Sequence, residues 1–360
     1  MSLIVSVGEP FPGSAFASPI YRIPAIARTG SGRLVVCYDV REDWRDLPAD
    51  FDIAVRFSDD DGATWSEPRV LRRHEPGHGF GDASLTWDPA SGTLLCWYVG
   101  STGESYFSTS AGGPSLELWL AQSHDDGETW THRDMSELRP KDVAGWFCSS
   151  GNGDARGDGV VLQTIVERIN DENYVVVAAS RDSGERWELG EAIGPDCDES
   201  KILALQDGRL LLHARSKPKR REAWADGVGE KFTEPLPNTC LTDPACNGGL
   251  ARVGRAIVAS MCDDPVDRTR LALHVSLDHG ETWSDSIVID TGAAAYSAVV
   301  AMGDNRVGVV WEADDYRSIV FESFALSDLG VTSSGWHADA VRVVPREGTP
   351  GAAKPPVVNS

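Results

Sequence analysis

The amino-acid sequence predicts an all-β fold, in the form of a six-bladed β-propeller. The chain contains many short runs rich in Val, Ile, Leu and aromatic residues, such as "RLVVCYDV", "TLLCWYVG" and "RVGVVWEA", which are separated by Gly, Asp, Asn and Pro. No long stretch shows a convincing helical periodicity. An eight-residue phrase also occurs four times, which is typical of a repeat architecture.

The number of blades follows from the positions of this phrase. It begins at Ser58 as "SDDDGATW" and returns at Ser123, Ser180 and Ser276. The last interval is wide enough for two units, and a degraded copy lies within it at "AWADGVGEKF" (223–232). Five units and the stretch after the last octad give six blades of about four strands each.

Each octad is predicted to form a structural turn. In the first copy, Asp60 would accept backbone N–H bonds from the following turn, Gly62 would permit a positive φ, and Trp65 would pack between strands. In the third copy Arg186 replaces the usual Thr, which we expect to remove at most a small hydroxyl contact. Identical turns in different blades cannot converge on one substrate, so the octads favour folding over catalysis.

The predicted domain organisation is a single propeller over residues 1–345 and a flexible C-terminal tail over residues 346–360. The segment "AVRVV" (340–344) could close the ring as a final strand. Composition excludes nucleic acid as a partner, because 33 Lys and Arg against 55 Asp and Glu give a net charge of -22. A local Arg cluster could still bind a small anion.

The seven cysteines form no CxxC pair and no metal-ligand spacing, so no metal is expected. A bridge between Cys240 and Cys246 remains open. No apolar run has the length of a membrane span, and residues 1–13 lack the features of a secretory signal. The chain as given would be cytoplasmic, or secreted if a native signal was removed. We expect a monomer.

The tetrapeptide "YRIP" (Tyr21–Pro24) precedes the first octad. With the octads, which look like Asp-boxes, it resembles the sialidase (exo-α-neuraminidase) family over residues 21–324. The resemblance implies a propeller enzyme that acts on sialylated oligosaccharides or glycoconjugates and needs neither a metal nor an organic cofactor.

The resemblance also implies three arginines that bind the substrate carboxylate. They are Arg22 in "YRIP", Arg215 at the end of "RLLLHAR" and Arg268 in "DDPVDRTRL". Arg268 is preferred to Arg270 because Leu271 completes the family spacing R-x-x-L. The planar fork of Arg suits a carboxylate, although each residue could instead be an ordinary surface arginine.

The implied nucleophile is Tyr296 in "AAAYSAVV", with Glu199 in "CDESKILAL" as its base. Sialidases are an exception among glycosidases in using a Tyr, since a neutral phenol can approach an anionic substrate. A phenol with a pKa near ~10 needs a base. Tyr296 could instead be an ordinary inward-facing aromatic residue of a strand, and Glu199 an acidic residue of a turn.

The implied general acid is an Asp in the loop "YDVREDWRDLPADFD". We favour Asp46 by its position before the next strand and place Asp50 second, because loop lengths vary. Arg41 and Asp82 resemble the family residues that contact the hydroxyl and N-acyl edge of the sugar.

Three supporting residues complete the implied site. Glu312 in "VVWEADD" would pair with Arg22 and fix its fork. Trp146 and Phe147 in "GWFCSSGNG" would line the acyl pocket, with core packing as the equal alternative.

Three functions are therefore compatible with the sequence. The first is a retaining exo-sialidase, and the second is a hydrolase of a related sugar acid (Kdn or Kdo) or a trans-sialidase. The third is a non-catalytic glycan-binding propeller, against which Tyr296 and Glu199 argue, because a lectin needs neither.

Overall fold

A computed structural model describes residues 1–353 of the chain. Its regular structure consists of β-strands and one 3₁₀ turn at Ser136–Leu138. The prediction of an all-β fold is therefore confirmed, and the architecture is consistent with a β-propeller. Within the described residues no helix has the length and apolar character that a bilayer crossing requires.

The strands follow one another along the chain in groups of about four. After β1 (Ser2–Ser6), the first sheet contains β2 (Ile20–Arg28), β3 (Leu34–Arg41), β4 (Phe51–Ser58) and β5 (Arg69–Arg72). The second contains β6 (Gly79–Asp88), β7 (Thr93–Ser101), β8 (Glu117–Ser123) and β9 (Thr131–Asp134). Within each sheet neighbouring strands are antiparallel.

The middle of the chain forms two further sheets. The strands in this region are β10 (Gly145–Cys148), β11 (Gly151–Asn152), β12 (Asp154–Ala155), β13 (Val161–Ile169), β14 (Glu172–Ser180), β15 (Glu188–Leu189), β16 (Ser200–Ala204), β17 (Leu210–Ala214), β18 (Lys219–Ala225) and β19 (Leu236–Thr242). Strands β10 and β12 to β15 form the third sheet, and β16 to β19 form the fourth. Strand β11 leaves this order and pairs in parallel with β6.

The last large sheet has seven strands. They are β20 (Gly249–Val253), β21 (Ala256–Cys262), β22 (Thr269–Ser276), β23 (Ile287–Ala301), β24 (Arg306–Ala313), β25 (Ser318–Ala325) and, at the edge, β1. The first half of β23 pairs with β22 and its second half pairs with β24. This long strand therefore joins two four-stranded groups.

The prediction that "AVRVV" (340–344) closes the ring as a final strand is wrong. Strand β27 (Gly335–Val341) pairs with β26 (Leu329–Thr332) in a separate hairpin. The edge next to β25 is occupied instead by β1 from the other end of the chain, with Ser2 opposite Phe321. Because β1 already satisfies the backbone groups of this edge, no place remains there for residues 340–344.

The hydrophobic core lies between neighbouring sheets. One cluster contains Cys37 and Val55 of the first sheet together with Leu85 and Tyr98 of the second. Similar clusters lie between the other pairs of neighbouring sheets. Strands β3 and β7 are buried over their whole length. Both faces of these strands are covered, which explains their continuous apolar sequences.

The octads form the turns that follow β4, β8, β14 and β22. In the first octad the carboxylate of Asp60 accepts the backbone N–H of Thr64 at 2.9 Å and its hydroxyl at 2.6 Å. Gly62 has a φ of 85°, and a Cβ there would lie 2.1 Å from the Phe321 ring. The predicted turn is confirmed, and in the third copy Arg186 Nε replaces the Thr hydroxyl.

The degraded copy occupies the same place in its sheet. It begins in the last residues of β18 and continues into the turn before β19, where Gly229 has a φ of 91° and Phe232 packs against the core. The C-terminal segment is described as far as Ala353, which is buried and donates its N–H to the carbonyl of Arg268 at 2.7 Å. Of the expected tail, residues 354–360 lie outside the described residues, and its boundary stays a prediction.

Candidate active site

Three arginines from remote parts of the sequence surround the ring of Tyr296. The Cζ atoms of Arg22, Arg215 and Arg268 lie 5.4, 5.7 and 5.3 Å from the centroid of that ring. Arg22 lies in β2, Arg215 follows β17 and Arg268 precedes β22. Permanent positive charges gathered around one phenol form a site suited to an anion.

Irregularities in the strands direct several of these side chains. The pairing of β2, β6 and β23 shifts register beside Arg22, Asp82 and Tyr296 respectively. Asp82 has a φ of 58°, and Ile23, which follows Arg22, has a φ of 57°. An extra residue in a strand bends it and redirects side chains, and such bulges are frequent beside active sites.

Glu312 in β24 holds two of these strands together. Its Oε1 accepts hydrogen bonds from Arg22 Nε at 2.7 Å and from the backbone N–H of Ile23 at 2.9 Å. Its Oε2 accepts the N–H of Tyr296 at 3.1 Å. The carboxylate is fully buried, so it fixes the fork of Arg22 as the sequence analysis expected.

The phenol of Tyr296 donates a hydrogen bond to Glu199 Oε2 at 2.5 Å. Arg215 Nη1 donates to the phenol oxygen at 2.8 Å and also to the same carboxylate. The other oxygen, Glu199 Oε1, accepts the hydroxyl of Ser150 at 2.8 Å. The phenol therefore has both a base for its proton and a cation beside its oxygen.

The protonation states fit this geometry. Burial raises the pKa of Tyr296 well above its ordinary value, and the nearby charge of Glu199 adds to the effect. Burial alone would raise the pKa of Glu199, but the charges of Arg215 and Lys201, together with the hydrogen bonds from Tyr296 and Ser150, lower it overall. The resting pair is thus a neutral phenol beside an ionised carboxylate.

Asp46 lies in the loop between β3 and β4, with its side chain about half exposed. Its Oδ1 accepts Arg41 Nη1 at 2.7 Å. Burial tends to raise the pKa of Asp46, but Arg41 and then Arg22 lower it overall. Asp50, the second choice from the sequence, instead accepts the N–H of Gly77 at 3.0 Å.

Asp39 connects Arg41 and Asp82, the two residues expected at the sugar edge. Its Oδ2 accepts Arg41 Nη2 at 2.6 Å, and its Oδ1 accepts the N–H of Asp82 at 2.9 Å. Burial, together with the charge of Asp39, raises the pKa of Asp82 well above its ordinary value. Asp82 therefore favours the protonated form, which can donate a hydrogen bond to a ligand.

The two aromatic residues predicted for the acyl pocket differ. Trp146 is fully buried, belongs to the core between the second and third sheets, and donates its indole N–H to the carbonyl of Leu116 at 2.9 Å. Its assignment to the pocket is wrong, because no part of its side chain is accessible to a ligand. Phe147 is half-buried, packs against the margin of the same core cluster, and contacts Tyr106 edge-on.

Tyr316 also lies beside these arginines, although no sequence pattern predicts it there. Its hydroxyl accepts Arg268 Nη1 at 2.9 Å, and Arg22 Cζ lies 4.6 Å from its ring centroid. It has a φ of 63°, and the exposed Trp44 packs edge-on against it at 6.0 Å. Its position after Glu312 in "WEADDY" carries no pattern that could have revealed this role.

Two further expectations concern metals and cysteines. In the part of the chain that the structure describes, no group of three or more His, Cys, Asp and Glu could hold a metal ion. The seven cysteines are unbridged; Cys240 is exposed and Cys246 is buried. Arg270, the rejected alternative to Arg268, is half-exposed and lies 3.7 Å from Asp263.

Comparisons with known proteins show which family the chain resembles. The model of the BNR repeat-like domain matches residues 24–309. The chain is 30% identical over 342 residues to a sialidase of Micromonospora viridifaciens, covering 87% of this chain and 52% of that protein. The chain therefore spans about half the length of this curated relative.

Solved structures show the same likeness. The Hadza microbial sialidase Hz136 superposes with a TM-score of 0.78 at 25% identity, covering 85% of this chain and 66% of that one. The intramolecular trans-sialidase from Ruminococcus gnavus also gives a TM-score of 0.78, at 15% identity and with coverage of 96% and 100%. The second likeness concerns the fold alone. From the domain match over most of its length and from these relatives, the chain belongs to the sialidase family.

Proposed function

We propose that the protein is a retaining exo-sialidase that releases terminal α-ketosidic sialic acid from glycoconjugates, with Tyr296 as nucleophile. The observation that carries the proposal is the phenol of Tyr296, which lies among three guanidinium groups and donates its proton to Glu199. A site that only binds sugar has no use for a phenol paired with a base.

The arginines suit the carboxylate of a sialoside. Arg22 and Arg215 already have the carboxylates of Glu312 and Glu199 as partners. Among the described residues, Arg268 has hydrogen bonds to Tyr316 and to the carbonyl of Ala245, but no carboxylate partner. A substrate anion would supply the missing negative charge in a largely buried setting, where the interaction is strong.

In the first step the Tyr296 oxygen attacks the anomeric carbon and the bond to the leaving oxygen breaks. Glu199 accepts the phenol proton. Asp46, whose pKa should rise and which should take up a proton when the substrate anion binds to the arginines, donates that proton to the leaving oxygen. The short contact between the phenol and Glu199 supports this assignment. A neutral nucleophile avoids repulsion from the substrate carboxylate, which an anionic one would meet.

In the second step Asp46 takes a proton from water, and the water oxygen attacks the same carbon. The bond between the sugar and Tyr296 breaks, and Glu199 returns the proton to the phenol. Two displacements at one carbon retain its configuration. The half-exposed position of Asp46 is compatible with access of both the leaving group and water.

We also propose that residues 1–345 form one propeller of six blades. The seven-stranded sheet divides at β23 into two groups of four, which join the four preceding sheets. The first strands are neighbours in space, since β2 contacts β6 and β23, and β16 contacts β13 and β20. A radial arrangement of this kind brings residues from distant blades together. That the protein is a monomer stays a prediction.

Transfer to a second sugar is the other function that an observation favours. Trp44, two residues before Asp46, has 37% of its surface exposed and packs against Tyr316 beside the arginines. An exposed aromatic ring beside the general acid could hold an acceptor sugar by stacking. The chemistry would be the same until the acceptor hydroxyl replaced water in the second step.

The test is hydrolysis of a fluorogenic aryl α-sialoside by the purified protein, with the first-formed anomer followed by NMR. We expect release of the α-anomer, and covalent labelling of Tyr296 by a 2,3-difluoro sialic acid. Parallel aryl Kdn and Kdo ketosides, and lactose as an acceptor, separate the related activities. Binding of 2,3-dehydro sialic acid without any turnover would instead indicate a glycan-binding propeller.

A further inference from the structure

Lys201 is a fully buried lysine close to the proposed catalytic pair. It lies in β16, two residues after Glu199, and none of its side chain is exposed. An ammonium group is rarely buried without a specific role, because its desolvation is unfavourable. Gly151 makes room for it, since a Cβ at that position would lie 3.1 Å from Lys201 Cε.

A directed chain of hydrogen bonds connects this ammonium to Glu199. Lys201 Nζ donates to Asn247 Oδ1 at 2.7 Å, and Asn247 Nδ2 donates to Ser150 Oγ at 2.8 Å. The hydroxyl of Ser150 then donates to Glu199 Oε1 at 2.8 Å. The opposite oxygen of the same carboxylate accepts the phenol of Tyr296.

We propose that Lys201 is a positioning residue for the reaction: through Asn247 and Ser150 it keeps Glu199 ionised and directed at the Tyr296 phenol. This inference rests on the proposed function. Every hydrogen bond of the network has its donor on the side of Lys201 and its acceptor on the side of Glu199. The direction of the whole network is therefore set by one buried cation. Chains of hydrogen bonds in a buried setting polarise one another.

The charged groups around Lys201 do not neutralise its ammonium, so its positive charge acts on Glu199. Facing it are Glu199 itself, Arg215 beyond β17, Arg220 in β18 and Cys148 in β10. Arg220 is paired with the buried carboxylate of Asp243. The described chain places no carboxylate in direct contact with the ammonium, so its charge is not cancelled locally.

The titration of Lys201 sets the pH range of the effect. Burial lowers the pKa of Lys201 to about 7, while the charge of Glu199 opposes this shift. The ammonium is therefore charged below about pH 7, which includes the range in which Glu199 titrates. In that range its charge lowers the pKa of Glu199.

The experiment compares Lys201→Met with the wild type in the pH dependence of kcat/KM for an aryl sialoside. Without the cation, the pKa of Glu199 rises, so the acidic limb of the profile moves up by about one pH unit. We expect a loss of up to about tenfold on that limb and little change above pH 7. Lys231→Met, which removes an exposed lysine, should leave the profile unchanged.

A profile that is lowered equally at every pH, with its limb unmoved, would overturn the proposal and leave Lys201 a packing residue. If Lys201→Met does not fold, Ser150→Ala keeps the charge and breaks the last link, so a smaller shift in the same direction is expected. No shift in Ser150→Ala would then count against the proposal. An inactive wild type would instead reject the proposed function, whatever the variants do.

Discussion

The carboxylates of the octads and the carboxylate of Glu199 are stabilised in opposite ways. Asp125 accepts bonds from the backbone and hydroxyl of Thr129, four residues away, and from Ser123. Glu199 accepts bonds from Ser150 and Tyr296, which lie 49 and 97 positions away in the sequence. Hydrogen-bond partners that are close in sequence stabilise a single turn. Partners that are remote in sequence come together only after the whole fold has formed.

This difference separates stability from function. An octad satisfies its own charge within one turn, so its contribution is independent of the others. The candidate active site instead contains several cations that repel one another. Such an unfavourable arrangement is retained in evolution where activity requires it. Substitutions at the two kinds of site should therefore affect different measurements.

The strongest effect should come from Tyr296→Phe. The phenyl ring fills the same space, but the attacking oxygen is lost, so kcat should fall by at least about a thousandfold with the fold retained. Tyr174→Phe is the matched control, since Tyr174 also donates to a glutamate, Glu172, at 3.3 Å, but in the outer part of a sheet. Normal kcat in Tyr296→Phe would refute the assignment of the nucleophile.

Arg268→Ala should produce the next largest effect. Loss of one charged hydrogen-bonding partner of the substrate carboxylate should raise KM by about a hundredfold, with a smaller change in kcat. Steady-state kinetics should show that Arg270→Ala, two positions away and paired with Asp263, behaves like the wild type. Equal effects of the two substitutions would contradict the central placement of Arg268.

A smaller effect concerns the proton of Asp46. Arg41 and Arg22 lower its pKa in the free protein, and an anion bound to the arginines should offset part of this attraction. Its pKa should rise on binding, so that formation of the complex with 2,3-dehydro sialic acid should be accompanied by uptake of a fraction of a proton at acidic pH. Calorimetry in buffers of different ionisation enthalpy measures this uptake, which Asp46→Asn should reduce.

The smallest effect is expected at the rim of the molecule. The hydrogen bonds from Thr129 lower the pKa of Asp125 to about 2, so its stabilising charge is complete above the ordinary pKa of ~3.9 and is lost as the pH falls toward 2. Asp125→Asn should lower Tm by about 2 °C at pH 7, and by less near pH 2. A change in kcat/KM in this variant would contradict the separation of the two regions.

The parts of the fold that could be predicted are those with local patterns. The octads at Ser58, Ser123, Ser180 and Ser276 depend on contacts within eight residues, which the sequence displays directly. The position of β1 beside β25 leaves no such pattern, since it joins Ser2 to Phe321. Alternation within a strand also does not reveal which face meets the core, and for this reason Trp146 was misassigned.

The candidate site shows the same division. Arg22, Glu199 and Tyr296 could be named because they stand in recognisable phrases of a family. Tyr316 could not, because its place beside Arg268 depends on a positive φ after β24. The sequence around Lys201 gives no sign that this lysine is buried. Its burial near Glu199 is a result of the tertiary fold.

The pairing of β1 with β25 has a consequence for biosynthesis. Strand β1 is translated before its partner and must wait until Ser318–Ala325 has been translated, a delay on the order of tens of seconds. During this interval the emerging N-terminal segment has no sheet edge to join and is open to chaperones or proteases. The edge strand of the last sheet can therefore be added only after β25 has been synthesised.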